Sequence, residues 1–178
     1  MSFALFNISL LLIILFLFAM LSWIWPPDSP WSFWWTTSKK TSLRLCKLAG
    51  VKKGDIFLEL GSGEGTTVIV AAKEYKVICI GIEIDPIRTF ISRIRIFLSG
   101  AKDITILRKN FFQVDFSSAT VVYAYLVPKA LLRLREKFFK ELRPGTRVVS
   151  YKYQIPYLRE VGRDAGNELY LYKIPKRK

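Results

Sequence analysis

The chain is 178 residues long, about the size of one ordinary domain of roughly 100–200 residues, with 51% hydrophobic residues and a formal net charge of +14. It has no histidine and two cysteines, Cys46 and Cys79, which excludes histidine-dependent triads, most zinc sites and a disulfide framework. So basic a balance favours anionic lipid surfaces, nucleic acid or acidic partners, and for a tethered chain the lipid surface stands first.

From Phe3 to Trp25 no charged residue occurs, a run longer than the ~20 residues a helix needs to cross about 30 Å of hydrocarbon. Trp23, Trp25, Trp31, Trp34 and Trp35 cluster at and beyond its end, where indole rings favour the headgroup region. No basic residue precedes the run and no small-residue cleavage site follows it, so an anchor is expected rather than a cleaved signal peptide. Every Lys and Arg lies at or after Lys39, which predicts a single-pass membrane protein with its catalytic domain on the cytoplasmic side. The expected organisation is a transmembrane anchor over 1–25, a Pro/Trp-rich interfacial linker over 26–37 and a folded domain over 38–178. Pro26, Pro27 and Pro30 keep the linker from continuing the helix.

In the domain, Ser38–Gly50 reads as a helix with Leu43, Leu45, Cys46 and Leu48 set among basic residues. Strands and helices then alternate. Strand Asp55–Leu60, helix Thr66–Glu74, strand Val77–Glu83 and a proline-begun helix Pro86–Ser99 come first. Strands Ile104–Arg108 and Thr120–Tyr125, an amphipathic helix Lys129–Leu142 and a strand Arg147–Tyr153 follow. This alternation predicts an α/β fold with a mostly parallel sheet covered on both faces. Tyr157–Val161 and Glu168–Ile174 flank the turn-rich Gly162–Asn167 and predict a closing antiparallel hairpin.

Glu59-Leu60-Gly61-Ser62-Gly63-Glu64-Gly65 follows a strand and opens a helix, the setting a glycine-rich ligand loop requires. Glu83 ends the next strand, near the ~20-residue offset at which a carboxylate can accept hydrogen bonds from ribose hydroxyls. A dinucleotide fingerprint is G-x-G-x-x-G, and Thr66 stands where its third glycine belongs. A nucleoside cofactor other than NAD or a flavin is expected.

The E-x-G-x-G-x-G loop with an acid after the second strand resembles the signature of class I S-adenosylmethionine-dependent methyltransferases. That resemblance implies a Rossmann-like seven-strand sheet and S-adenosyl-L-methionine as cofactor. It implies that Gly61, Ser62, Gly63 and Gly65 line the methionine part, Glu59 orders its amino group, Glu83 holds the ribose, and Asn110 and Phe111 meet the adenine. From Trp25 to about Tyr157 the chain is similar to the membrane-anchored protein-lysine methyltransferases, among them those acting on the ATP synthase c-subunit and the adenine nucleotide translocase. Leu60–Gly65, Gly81–Pro86, Ser92-Arg93, Val127-Pro128, the Glu141–Val149 run and Ile155-Pro156 carry the likeness. Relatives commonly have Asp-Gly-Arg where this chain has Glu64-Gly65-Thr66, and Asn where it has Asp85.

The implied reaction is N-methylation of a lysine of a membrane protein. A lysine of reference pKa about 10.4 must first lose its proton, and desolvation in an apolar, aromatic slot lowers that pKa. Tyr125, and with it Tyr123, are the expected acceptor-site residues, at the end of the fourth strand. Glu64 and Asp115 are further candidates for guiding the departing proton. Methylation of RNA or a small molecule is the rival enzyme reading, drawn from the charge and the interleaved aromatics, although an anchor argues against bulk nucleic acid. A non-catalytic membrane adaptor is the third, against which the glycine loop stands.

Overall fold

In the computed structural model residues 3–24 and 35–176 are described, the side chains of the first helix over residues 4–20. That helix, α1 (Phe3–Ile24), carries no charge. Among the described residues no helix is long and apolar enough to cross a membrane. This overturns the expected single-pass membrane protein with a cytoplasmic catalytic domain, and with it the transmembrane anchor over 1–25. Pro26–Pro30, Trp25, Trp31 and Trp34, on which the interfacial linker was drawn, lie outside the described residues.

Helix α2 (Lys39–Leu48) begins at Ser38, whose hydroxyl accepts from the Thr41 amide at 3.1 Å and so satisfies one of the first turn's orphan donors. Seven strands follow: β1 (Ile56–Leu60), β2 (Ile78–Glu83), β3 (Ile104–Arg108), β4 (Val121–Ala124), β5 (Arg147–Tyr151), β6 (Glu160–Asp164) and β7 (Leu169–Lys173). They form one sheet in the order β3-β2-β1-β4-β5-β7-β6. The first five run parallel, and β7 pairs antiparallel with both β5 and β6. Helices α3 (Thr66–Tyr75), α4 (Pro86–Ser99) and α5 (Pro128–Glu141) are the crossovers.

Period-two alternation sorts the strand residues between two cores. On one face Leu58, Leu60, Val122 and Val148 pack with Ala130, Leu131, Leu134 and Phe138 of α5. On the other, Phe57, Cys79, Val121, Tyr123 and Val149 pack with Leu45 and Cys46 of α2 and Val68, Ala71 and Ala72 of α3. Burial, with Glu59 nearby, pushes the Cys46 thiol up to about 12, so it is an inert core residue rather than a nucleophile. The sheet's corner is pinned by Arg147, whose guanidinium donates to the carbonyls of Ala49 and Gly50 at 2.9 and 2.7 Å and pairs with Asp55.

The closing hairpin is present but displaced from its expected position. Tyr157 has a φ of +58° and Ile155 and Leu158 turn into the core, so no extended strand can start at Tyr157. Strand β6 instead recruits Gly162–Asp164, with a bulge between Glu160 and Gly162. The turn shrinks to a 3-10 element over Ala165–Asn167. Pairing with β7 overrides the local turn preference of glycine and aspartate.

A candidate cofactor cleft at the carboxyl ends of the strands

The loops after β1, β2, β3 and β4 meet at one end of the parallel strands, where open α/β sheets place their ligands. There they surround an open cleft lined by Glu59, Gly61, Ser62, Gly63, Glu83 and Phe111, the concave setting in which small-molecule sites are found. Three turns of left-handed backbone shape its floor. Gly61, Gly63 and Gly65 have φ of +75°, +52° and +77°, values that residues with a Cβ adopt only under strain. The Gly61 and Ser62 amides donate to the Ile82 carbonyl at 2.8 and 2.9 Å, which fastens the loop to β2. Gly65 is the N-cap of α3 and offers no side-chain cap, so the positive end of that helix faces the loop.

Glu83 closes the loop from the side. Its Oε2 accepts from the Gly63 amide at 2.8 Å and its Oε1 from the Asp85 amide at 3.0 Å. Burial pushes this carboxyl up, while those two amides and the Arg88 charge oppose the rise. Each oxygen retains a lone pair for a ligand hydroxyl. Asp85 turns the chain into α4 by accepting from the Arg88 amide at 2.8 Å, with Pro86 at the first helical position.

Glu59 is 4% exposed at the base of the cleft. Burial raises its carboxyl to about 8, against hydrogen bonds from Thr67 and the Val68 amide, with Glu83 adding to the rise. Among the described residues the Glu59 Oε2 and Ser62 Oγ are buried without a hydrogen-bond partner. Two orphaned polar atoms in a glycine cradle fit a ligand that brings its own donors. Gly81 makes this loop possible: a Cβ there would lie 2.6 Å from Ile106 Cδ1 and 2.8 Å from Ser62.

The remaining expected residues divide. Phe111 and Tyr125 line the cleft. Asn110 uses its side-chain oxygen to cap the 3-10 turn Phe111–Gln113, accepting from Phe112 at 3.0 Å. Tyr123 is 1% exposed, opposite Glu59 in the β1–β4 register, and shares a 2.8 Å hydrogen bond with Thr37. Burial, with Glu59 beside it, raises the Tyr123 phenol well above the usual range, so it is a neutral core group. Glu64 lines the cleft and pairs with Arg95, whereas Asp115 holds Ser117. Sequence reasoning missed Trp35, Thr36 and Thr37, which form one wall. Their one sequence signal, a tryptophan beside hydroxyl residues, is absorbed by the Pro/Trp-rich linker pattern.

A family model described as the ANTKMT methyltransferase domain matches residues 59–161. A protein-lysine N-methyltransferase of Saccharolobus islandicus (strain REY15A) is 39% identical over 121 residues, covering 67% of this chain and 75% of that protein. The human lysine N-methyltransferase of the ATP synthase c-subunit is 29% identical over 114 residues, 64% of this chain and 48% of that protein, so the chain spans about half its length. The crystal structure of an RNA methyltransferase from Salinibacter ruber in complex with S-adenosyl-L-homocysteine superposes with a TM-score of 0.77 at 33% identity, over 81% of this chain and 96% of that one. The glycine cradle, the orphaned Glu59 and Ser62 atoms and these likenesses agree: the cofactor is S-adenosylmethionine, and the chain belongs to the ANTKMT methyltransferase domain family.

Proposed function

We propose that this protein is an S-adenosylmethionine-dependent protein-lysine N-methyltransferase whose acceptor is a lysine of a membrane protein, with residues 38–178 as its catalytic unit. The observation that carries the reading is Tyr125 and Trp35 together at the wall of the cofactor cleft, in a chain 39% identical to a protein-lysine N-methyltransferase. The human relative's name sets its acceptor lysine in the ATP synthase c-subunit.

When bound, S-adenosylmethionine supplies an electrophilic methyl group. Gly61, Ser62, Gly63 and Gly65 hold its methionine part, Glu59 takes the amino group, Glu83 accepts from the ribose hydroxyls, and Phe111, with Asn110 fixing its turn, packs on the adenine. In-line transfer asks the protein mainly for alignment and exclusion of water. Tyr125 and Trp35 receive the acceptor on aromatic faces, which hold a cation on entry and disfavour its charge once water is displaced. Tyr123, buried and hydrogen-bonded to Thr37 of the cleft wall, backs that wall from the core rather than touching the acceptor.

A second reading, methylation of RNA, draws on the net charge of +14 and on the Salinibacter ruber neighbour. Incubating the protein with isotopically labelled cofactor and separate membrane, soluble-protein and RNA fractions tests both. The expected result is label on lysine in the membrane fraction. Label confined to RNA would replace the first reading with the second.

A further inference from the structure

Lys152 lies just past β5 in left-handed backbone, φ +67°, a conformation uncommon outside glycine, asparagine and aspartate. Its amide donates to the Glu168 carbonyl at 2.8 Å, and the Ser150 hydroxyl donates to the Tyr153 carbonyl at 2.6 Å, so the turn is held from both sides. Turned this way, the half-buried side chain carries its ammonium over the Trp35 ring, 4.9 Å from the centroid, and beside the Tyr125 hydroxyl. Both aromatics line the cofactor cleft, and Tyr151 packs against Tyr125 with ring centroids 4.5 Å apart. A lysine ammonium on the face of an aromatic that lines the cleft is the arrangement an incoming acceptor requires.

We propose that Lys152 is itself a methyl acceptor, occupying from within the chain the seat that Trp35 and Tyr125 form for a substrate lysine. The proposal rests on the protein-lysine reading above. Its chemistry is balanced by the cofactor of the established family. The Lys152 ammonium gives one proton to solvent, its nitrogen forms a bond to the methyl carbon, and the carbon–sulfur bond breaks with its electron pair kept by sulfur. S-adenosylhomocysteine and N-methyl-Lys152 result. The product nitrogen is a secondary ammonium, so it keeps its charge and its place over the ring, with a bulkier head.

The purified full chain is incubated with isotopically labelled S-adenosylmethionine, with and without a cell protein extract, and the Lys152 peptide is sequenced by mass spectrometry. Label is expected on Lys152, at a rate per molecule unchanged by tenfold dilution, and absent from Lys152→Arg. Labelled extract lysines with bare Lys152 overturn the proposal and leave the lysine reading standing; label on neither overturns both. A rate that falls in proportion to dilution means that one copy modifies another, and overturns the seat. A second measurement needs no cofactor: reductive methylation with ¹³C-formaldehyde gives each lysine a methyl resonance. That of Lys152 is expected upfield of the others through the Trp35 ring current, and among them in Trp35→Leu. A Lys152 resonance unshifted in the wild type overturns the proposal.

Discussion

Replacing Glu59 by Gln keeps the side chain's shape and removes its ability to ionise, which isolates the consequence of burying that carboxyl. Burial raises it to about 8, so at pH 7 roughly nine in ten molecules carry the neutral acid. The cofactor's amino group, with an ordinary α-amino pKa of about 7.7–8.0, arrives mostly as an ammonium and favours the carboxylate. Binding at pH 7 should therefore expel roughly 0.7–0.9 proton, counted by calorimetry in two buffers of different ionisation enthalpy. Glu59→Gln should expel almost none, and at pH 8 it should bind about 1.5–3 kcal/mol more weakly for want of the charged partner. The unbound protein responds in the opposite sense. Its folded state holds this proton more tightly than the unfolded chain, so the contribution is complete below pH 4.5 and lost as pH rises to about 8. Over those 3.5 pH units, at about 1.36 kcal/mol each, the loss is on the order of 5 kcal/mol. Unbound Glu59→Gln should match the wild type near pH 4 and be the more stable above pH 8. Equal proton release from both proteins would refute the reasoning, because the titrating group would then lie elsewhere.

Glu83→Ala should weaken cofactor binding by about 1.5–3 kcal/mol in calorimetry and also lower the melting temperature, since it strips the acceptors from the Gly63 and Asp85 amides. Gly81→Ala should cost about 1–3 kcal/mol in urea titration, because its Cβ would meet Ile106 and Ser62 at under 3.0 Å; a neutral result would mean that the loop yields freely. Tyr123→Phe should cost about 0.5–1.5 kcal/mol of stability for the Thr37 hydrogen bond and leave the cofactor dissociation constant within twofold. Calorimetry with NAD should give no binding heat where S-adenosylmethionine does, as Thr66 breaks the dinucleotide pattern.

The parallel half of the sheet is legible because its signals are local. Pro86 starts α4 and Gly100 stops it, and the apolar runs of β1 and β2 are bounded by turn residues. The loop with Glu59 and Glu83 is legible for the same reason, each lying beside a strand end that its own sequence marks. What escapes depends on groups far apart in the chain. Trp35 and Thr37 reach the cleft, and Lys152 the Trp35 ring, only because the sheet brings β4 and β5 together beneath them. Asn110 shows a different limit: an asparagine before Phe111 can contact a ligand or cap a turn, and its composition is the same in both cases. The displaced hairpin reflects a strand that exists only once β7 is there to pair with it.

That last dependence bears on how the protein is made. Strand β7 lies inside the sheet, between β5 and β6, yet it is synthesised after both. Until Leu169–Lys173 has left the ribosome, β5 presents an open edge, and Val148 and Val149 lack the Tyr172 and Leu171 partners that later cover their backbone. Such an edge recruits stray strands, and a nascent chain paused there is exposed to misassembly. A codon change or stall ahead of Leu169 would thus depress the yield of folded enzyme while leaving every cleft residue intact.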